Sequence, residues 1–344
     1  MGGRLGPARR FLTETLAASL HSLPGRFHRS PVAVCLSGGA DSCALAIAAA
    51  DLGRERPDLL PEVSALHVRH HLRGSESDGD AAAVRELCGR TGLPLRELDA
   101  PVDPGPGLEA RAREARYDAL HREAPGRLLA TAHHRDDQAE TVVLRLLRGA
   151  GARGLVGIRP IREDGIWRPF LSCGRDALSE VCREADWIPR EDSSNADRTF
   201  QRNEIRWGLL PDWELDQPGT AAALADLARA AWELEPFLER ALDRLEGEFS
   251  LLGDDRGFSL DLSAWPHDRP SPETDPELAS ALERVWNRRG RRPWTSSHRI
   301  RLVADLWLGK TGRRRGGQGE IAHFGGRKLR VEGSNTEGLA QNGR

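Results

Sequence analysis

Residues 31–52 read PVAVCLSGGADSCALAIAAADL, and this stretch decides the fold. The apolar run from Val32 to Leu36 has the composition of a buried strand, and an Ala/Leu-rich helix begins near Asp41. Between them, Ser37-Gly38-Gly39-Ala40-Asp41-Ser42 is a turn with little side chain in the way. Backbone N–H groups and a helix N-terminus can close on an anion there, and the hydroxyls of Ser37 and Ser42 add donors. The turn points to the phosphates of a nucleotide. It is not the kinase-type loop, because no Gly-Lys-Ser/Thr follows a first glycine at the required spacing. The plainer reading is an ordinary strand-to-helix turn with Asp41 or Ser42 as N-cap.

Outward from this stretch the chain alternates. A helix over 7–20 precedes the first strand; strands are expected at 62–68, 94–99 and 127–132, with helices at 41–52, 77–91, 108–123 and 136–148. Such alternation with short connections gives a doubly wound α/β domain on a parallel sheet, whose ligands sit beyond the carboxyl ends of the strands. A short strand near Trp167 and a helix over 175–186 follow, then a turn from Pro211 to Pro218 that reads as a linker. A long amphipathic helix over 220–249 opens a smaller, mainly helical unit, with helices near 275–288 and 297–308 and strands near 319–324 and 327–332. The expected division is a catalytic domain over 1–216, a small domain over 217–332 and a disordered polar tail over 333–344.

The net charge of -2 is uninformative, but its distribution is not. Arg299, Arg301, Lys310, Arg313, Arg314, Arg315, Arg327, Lys328 and Arg330 face only Asp305 and Glu320 within 299–330, which suggests a polyanion such as RNA as partner. Lys310 and Lys328 are the only lysines, so arginine and backbone must supply the cationic groups of the first domain. Cys35, Cys43, Cys88, Cys173 and Cys182 are odd in number and contain no CxxC, which argues against a disulfide framework, a zinc knuckle or a redox pair. No run approaches the roughly 18 apolar residues of a membrane span, and no secretory segment is evident, so a cytoplasmic protein is expected.

Four further clusters could carry chemistry. HVRHHLRG ends the second strand with His67, Arg69, His70, His71 and Arg73. ATAHHRDDQAET ends the strand at 127–132 and opens a helix: Asp137 and Glu140 fit a capping box and Asp136 suits the positive helix end, but His133 and His134 beside them at a sheet edge point to function. In LEARAREARYDAL, Glu109 and Arg113 lie four apart, with Arg116 near. That is an exposed pair worth only about 0.3–0.5 kcal/mol, or a clamp for phosphate or carboxylate. REDSSNADRTFQRNEIRWGLLP sets Asp192, Ser194, Asn195, Arg202, Asn203 and Arg206 too densely for a core, though a surface loop would read the same.

In this order, SGGADS, HVRHHLR, EARAREARY, TAHHRDDQAET with LRLLRGAGARGL, RPFL at Arg168–Leu171, and EDSSNADRTFQRNEIR with LLP resemble the tRNA(Ile)-lysidine synthetase family of PP-loop ATP pyrophosphatases. The resemblance covers about residues 30–211; His71 departs from it, standing where the family commonly has glycine. Many members also carry a further C-terminal tRNA-binding domain, and this chain looks like the shorter ones.

The resemblance implies adenylation of the wobble cytidine of a CAU anticodon by ATP, release of pyrophosphate, and attack by the ε-amine of free L-lysine with loss of AMP. It implies Ser37, Gly38, Gly39, Ala40, Asp41, Ser42 and His67 at ATP, with Mg2+ on Asp41. Catalytic roles fall to Asp41, His133, Asp136, Asp137 and Arg113, and substrate binding to Glu140, Arg116, His70, Asn195, Arg202, Asn203 and Arg206. tRNA(Ile) is the implied partner, no membrane is, and a homodimer is compatible. The rivals are a tRNA thiolation enzyme, which needs cysteines, usually in paired spacing, to carry persulfide or an Fe–S cluster; a metal-dependent phosphohydrolase built on His67, His70, His133, His134, Asp136 and Asp137; and a non-catalytic ATP sensor.

Overall fold

The computed structural model describes residues 5–69, 75–102, 105, 108–148, 150, 152–190, 201–248, 251–254, 257–261, 305, 311–315, 321–325 and 328–332. It divides into two compact units, Met1–Glu233 and Leu234–Arg344.

In the first unit, β1 (Val32–Cys35), β2 (Val63–Arg69), β3 (Leu95–Asp99), β4 (Leu128–Ala130) and β5 (Ile166–Trp167) form one parallel sheet in the order β3-β2-β1-β4-β5. The period-2 alternation of a strand sends Val32, Val34, Leu128, Ala130 and Trp167 to one face, and Ala33, Leu129 and Ile166 to the other. The first face is covered by α1 (Pro7–His21), α2 (Ala40–Glu55) and α6 (Arg175–Glu184), which pack on one another. Alanines at 44, 46, 48, 49 and 50 let α2 lie close against the sheet, and Asp51, 1 % exposed, is held by Arg9 of α1 at 2.8 and 2.9 Å. The second face packs against α4 (Leu108–Glu123) through Leu120, with Ala124 just past the helix end, and α3 (Ser75–Thr91) packs against β2 and α2. The parallel, two-sided sheet expected from the alternation is therefore present.

Residues 211–218 are not the linker that the sequence suggested. α7 (Gln201–Glu204), a π-helical turn (Ile205–Leu209) and α8 (Leu210–Asp216) follow one another directly, and the chain turns only at Gln217–Gly219 before α9 (Thr220–Glu248). The Leu210 N–H bonds to the Ile205 carbonyl, five residues back. Pro211 has no N–H and its ring would crowd the Trp207 carbonyl in a regular helix, so the wider turn is placed where the proline needs it. Ile205 and Leu210 then pack with Ala139 and Val143 of α5 (Arg135–Leu147).

In the second unit, the expected strand pair is part of a larger antiparallel sheet, β6-β7-β10-β9-β8, formed by Leu251–Asp254, Gly257–Asp261, Lys328–Glu332, Ile321–Gly325 and Gly312–Arg315 respectively. Ala322 and Phe324 are buried. Arg313 and Arg330 pair in register with His323 from either side, and all three are exposed. The helices expected near 275–288 and 297–308, apart from Asp305, lie outside the described residues, as does the tail after 332.

Candidate active site

Strand order reverses between β1 and β4, and beyond their carboxyl ends lie the Ser-Gly-Gly turn and the His133-His134 segment. The turn is held by its own serines. The Ser37 N–H donates to Ser42 Oγ (3.1 Å), and Ser42 Oγ donates to the Gly39 carbonyl (3.0 Å). With that proton spent, the Ser37 hydroxyl is the donor in its 3.0 Å bond to Ser42 Oγ. Gly38 has φ +97, a backbone that a side chain disfavours. Gly39, not Asp41 or Ser42, is the N-cap of α2, with no side-chain cap, so the positive helix end is left for a ligand. Thiols support the turn from behind: Cys43 Sγ donates to the Gly38 carbonyl (3.3 Å) and Cys182 Sγ to the Ala40 carbonyl (3.4 Å). The Arg190 N–H also bonds to the Gly38 carbonyl, at 3.1 Å.

His67, 5 % exposed, donates from Nδ1 to the Leu36 carbonyl (2.8 Å), which fixes its tautomer and leaves Nε2 as an acceptor. Across the switch point, α5 starts at Arg135, and its capping box is His134 with Asp137 rather than Asp137 with Glu140. The His134 N–H donates to Asp137 Oδ2 (3.1 Å), and Nδ1 lies 3.2 Å from the Asp136 N–H. Three carboxylates surround this ring: Asp136 at 3.3 Å, and Asp41 and Asp137 at 3.5 Å each. Burial opposes charge on His134, but bonds to Asp136 and Asp41 outweigh it and raise its pKa to about 10. The ring is then an imidazolium at neutral pH, and Nδ1 points its proton at the Asp136 carboxylate; the amide contact belongs to the neutral form. Asp136 pays a burial penalty too, yet His134 and the Arg175 N–H (3.0 Å) bring it down to about 2.

His133 behaves oppositely. It keeps some contact with solvent, but desolvation dominates; with Arg168, Arg113 and Arg202 nearby, its pKa falls to about 4 against the pull of Asp137. Its Nδ1 lies 2.9 Å from Thr131 Oγ1. Two adjacent histidines thus carry different charges at neutral pH.

Arg202 and Arg206, one turn apart on the α7–π segment, reach back to α5. Arg202 bonds to Asp137 (3.0 Å) and Glu140 (2.8 Å); Arg206 bonds to Asp137 (3.1 Å) and to both oxygens of Glu140. Glu140 is 2 % exposed, and its carboxylate is occupied by these two guanidiniums. Asp137 stays ionised below its ordinary range: burial is outweighed by His134, His133 and Arg202.

Arg113 is exposed, donates to the Tyr117 hydroxyl (3.4 Å) and lies 5.1 Å over that ring. Arg116 and Asn203 are described and engaged in contacts of their own. His70, Asn195, Asp192 and Ser194 lie outside the described residues, as does the Glu109 side chain. The sequence reading gave no site role to Arg168, Tyr117, Thr131 or Arg190, although the first three lie in stretches that carry the resemblance. Arg168 had a usable signal, since it directly follows a buried apolar pair at the carboxyl end of a strand.

Asp41 Oδ1 is buried without a hydrogen-bond partner, as expected of an oxygen meant for a cation. Among the described residues, no group of three or more His, Cys, Asp or Glu side chains is arranged to hold a metal, so an ion on Asp41 would complete its shell with ligand oxygens.

A family model described as a PP-loop domain matches residues 12–213. The chain is 42% identical over 230 residues to a tRNA(Ile)-lysidine synthase of Solibacter usitatus, covering 65% of this chain and 50% of that protein. A protein of the same name from Pseudomonas putida is 36% identical, over 68% of this chain and 53% of its own length. One from Bordetella parapertussis is 38% identical over 270 residues, 74% of this chain and 75% of that protein. The chain spans half or less of the length of the first three curated relatives it matches. Among solved structures, a U34-tRNA thiolase, NcsA from Methanococcus maripaludis with its [4Fe-4S] cluster, superposes with a TM-score of 0.51 at 18% identity, over 66% of this chain and 80% of that one; this likeness concerns the fold alone.

Proposed function

Because the chain belongs to the tRNA(Ile)-lysidine synthase family of PP-loop proteins, we propose that it ligates free L-lysine to the wobble cytidine of the CAU anticodon of tRNA(Ile). ATP would adenylate the cytidine with release of pyrophosphate, and the lysine ε-amine would then attack the activated carbon and expel AMP. The observation that carries this reading is the joining of the Ser37–Ser42 turn to the His133–Asp137 segment, through Asp41 and His134, at the strand-order reversal. In this reading the chain works in the cytoplasm, with residues 1–216 catalytic and 217–332 contacting tRNA. The exposed Arg313–His323–Arg330 row is a surface suited to phosphates.

Transfer of adenylate needs pyrophosphate held as a leaving group. Backbone N–H groups of the turn beyond Ser37 hold the outer phosphates, the Gly38–Gly39 pair keeps side chains out of their way, and His67 lines the same edge. Mg2+, when bound at Asp41, neutralises charge on those phosphates. The lysine ammonium must lose a proton before it attacks. Asp136 and Asp137, both ionised, attract it, and Asp137 or His133 relays the proton to solvent as the amine attacks. Glu140 contributes by fixing Arg202 and Arg206, which in turn place Asp137.

The test is incubation with ATP, labelled lysine and a CAU-anticodon tRNA(Ile). Label entering RNA in step with AMP supports the reading, whereas ADP and orthophosphate as products would overturn it.

A further inference from the structure

We propose that the Arg190 side chain is a phosphate clamp, which swings from Asp80 onto the pyrophosphate held at the Ser37–Ser42 turn. The proposal rests on the adenylate-transfer reading above. Lys310 is the first lysine in the chain, so the cationic side chain that meets the phosphates in the first unit has to be an arginine or a charged histidine. Arg190 is placed for this. Its N–H donates to the Gly38 carbonyl (3.1 Å), and its Cγ lies 4.0 Å from where a Cβ on Gly38 would stand. Backbone and stem are thus set against the turn, and the last side-chain torsions decide where the guanidinium points. It points toward the N-terminal end of α3. There Nη2 lies 3.1 Å from where a Cβ on Gly79 would stand, and Nε is 3.5 Å from Asp80 Oδ1.

The contact with Asp80 is a holding contact. It is at the outer limit of hydrogen-bond length, and the two side chains are 50% and 31% exposed, so breaking it costs little. Other arginines around the site are bound more firmly: Arg202 and Arg206 between Asp137 and Glu140, and Arg69 to Asp78 at 2.6 Å. In adenylate transfer, the bond from the α-phosphorus to its bridging oxygen breaks as the cytidine oxygen bonds to that phosphorus. The electron pair goes to the departing pyrophosphate, where negative charge grows. A guanidinium there gives two parallel N–H donors to phosphate oxygens, and it stabilises charge that develops in the transition state. Asp80 then competes with the product for Arg190, which helps pyrophosphate to leave.

The test is calorimetric binding of inorganic pyrophosphate, with excess Mg2+ and at one salt concentration, to the full chain and its variants. The backbone bond to Gly38 survives any replacement but proline, so Arg190→Gln removes the guanidinium alone. It should bind pyrophosphate roughly 10- to 100-fold more weakly, the range of a hydrogen bond to a charged group, and Arg190→Lys should recover part of the loss. Asp80→Asn should bind it about two- to fivefold more tightly, the scale of an exposed ion pair. That gain should vanish when Arg190→Gln is added. A strut that merely ties α3 to the turn predicts a loss in both single variants. Unchanged affinity in Arg190→Gln, weaker binding in Asp80→Asn, or an equal gain with and without Arg190 would overturn the clamp. Any of these with lysine still entering RNA leaves the lysidine reading standing. The full binding pattern in a chain that transfers no lysine keeps the clamp and loses that reading.

Discussion

His134 Nε2 lies 3.5 Å from Asp41 Oδ2, which ties the helix start after β1 to the helix start after β4 across the point where strand order reverses. Asp41 is 35% exposed, so the pair contributes little to stability. Its value is positional: it holds a carboxylate with one orphaned oxygen beside the phosphate turn. Asp41→Asn should therefore lower tRNA-dependent AMP formation by about 100-fold or more, the scale for removing one preorganised group at a reacting centre. The melting temperature should barely move. Full AMP formation in this variant would remove Asp41 from the reaction.

The two loop glycines should separate fold from function. Gly38→Ala forces a side chain onto φ +97 and should cost about 1–2 kcal/mol in urea unfolding. Gly39 has ordinary φ, with only Ser37 Oγ near its missing Cβ at 3.8 Å. Gly39→Ala should keep wild-type stability but bind ATP more weakly, because its methyl group occupies the phosphate path. Equal ATP affinity in Gly39→Ala and wild type would show that the phosphates lie elsewhere.

Glu140→Ala leaves Arg206 and Arg202 with Asp137 alone of their two shared acceptors. Arg202 is 42% exposed and can rehydrate, so the expected loss is about 3 kcal/mol, at the low end for a broken buried pair. Arg202→Ala should cost less, since Glu140 keeps Arg206. Equilibrium denaturation of both variants checks the ranking, and a larger loss for Arg202→Ala contradicts it.

The paired histidines give stability two opposed pH dependences. His133 is depressed to about 4 from 6.5, so the unfolded chain binds the extra proton first; its contribution is complete above pH 6.5 and is lost as pH falls toward 4. His134 is raised to about 10, so its contribution is complete below pH 6.5 and is lost as pH climbs through 10. Asp136, brought down to about 2, adds an acid limb that lies below 3.8. Urea midpoints measured from pH 4 to 10 should flatten on the acid side in His133→Gln and on the alkaline side in His134→Gln. Identical profiles for both variants would contradict the assignment.

Burial pushes the Cys35, Cys43 and Cys182 thiols up to about 12 and Cys88 to about 11, and raises Cys173 as well. None should react with a disulfide reagent at pH 8 in the native chain, and all five should react in urea. Rapid native labelling of Cys35 or Cys43 would revive the thiolation alternative.

The parallel sheet was legible because each strand is an apolar run next to a helix-period segment, and β1 to β4 lie within two residues of their expected places. The Pro211 region was misread because proline usually signals an interruption; here a wide turn absorbs it without breaking the helix run. Within the site, the turn's shape followed from its glycines. The pairing of Arg202 and Arg206 with Asp137 and Glu140 did not, since more than sixty residues separate the partners and no local period links them. The opposite charges of His133 and His134 were equally invisible, because they depend on which carboxylates and guanidiniums the fold brings near each ring.

The order β3-β2-β1-β4-β5 has a consequence for synthesis. A ribosome releases the glycine turn almost a hundred residues ahead of the histidine pair, and the two meet only when β4 docks beside β1. A half-made chain therefore has the turn but neither the groups set opposite it nor Cys182 and Arg190, which brace it from later in the sequence.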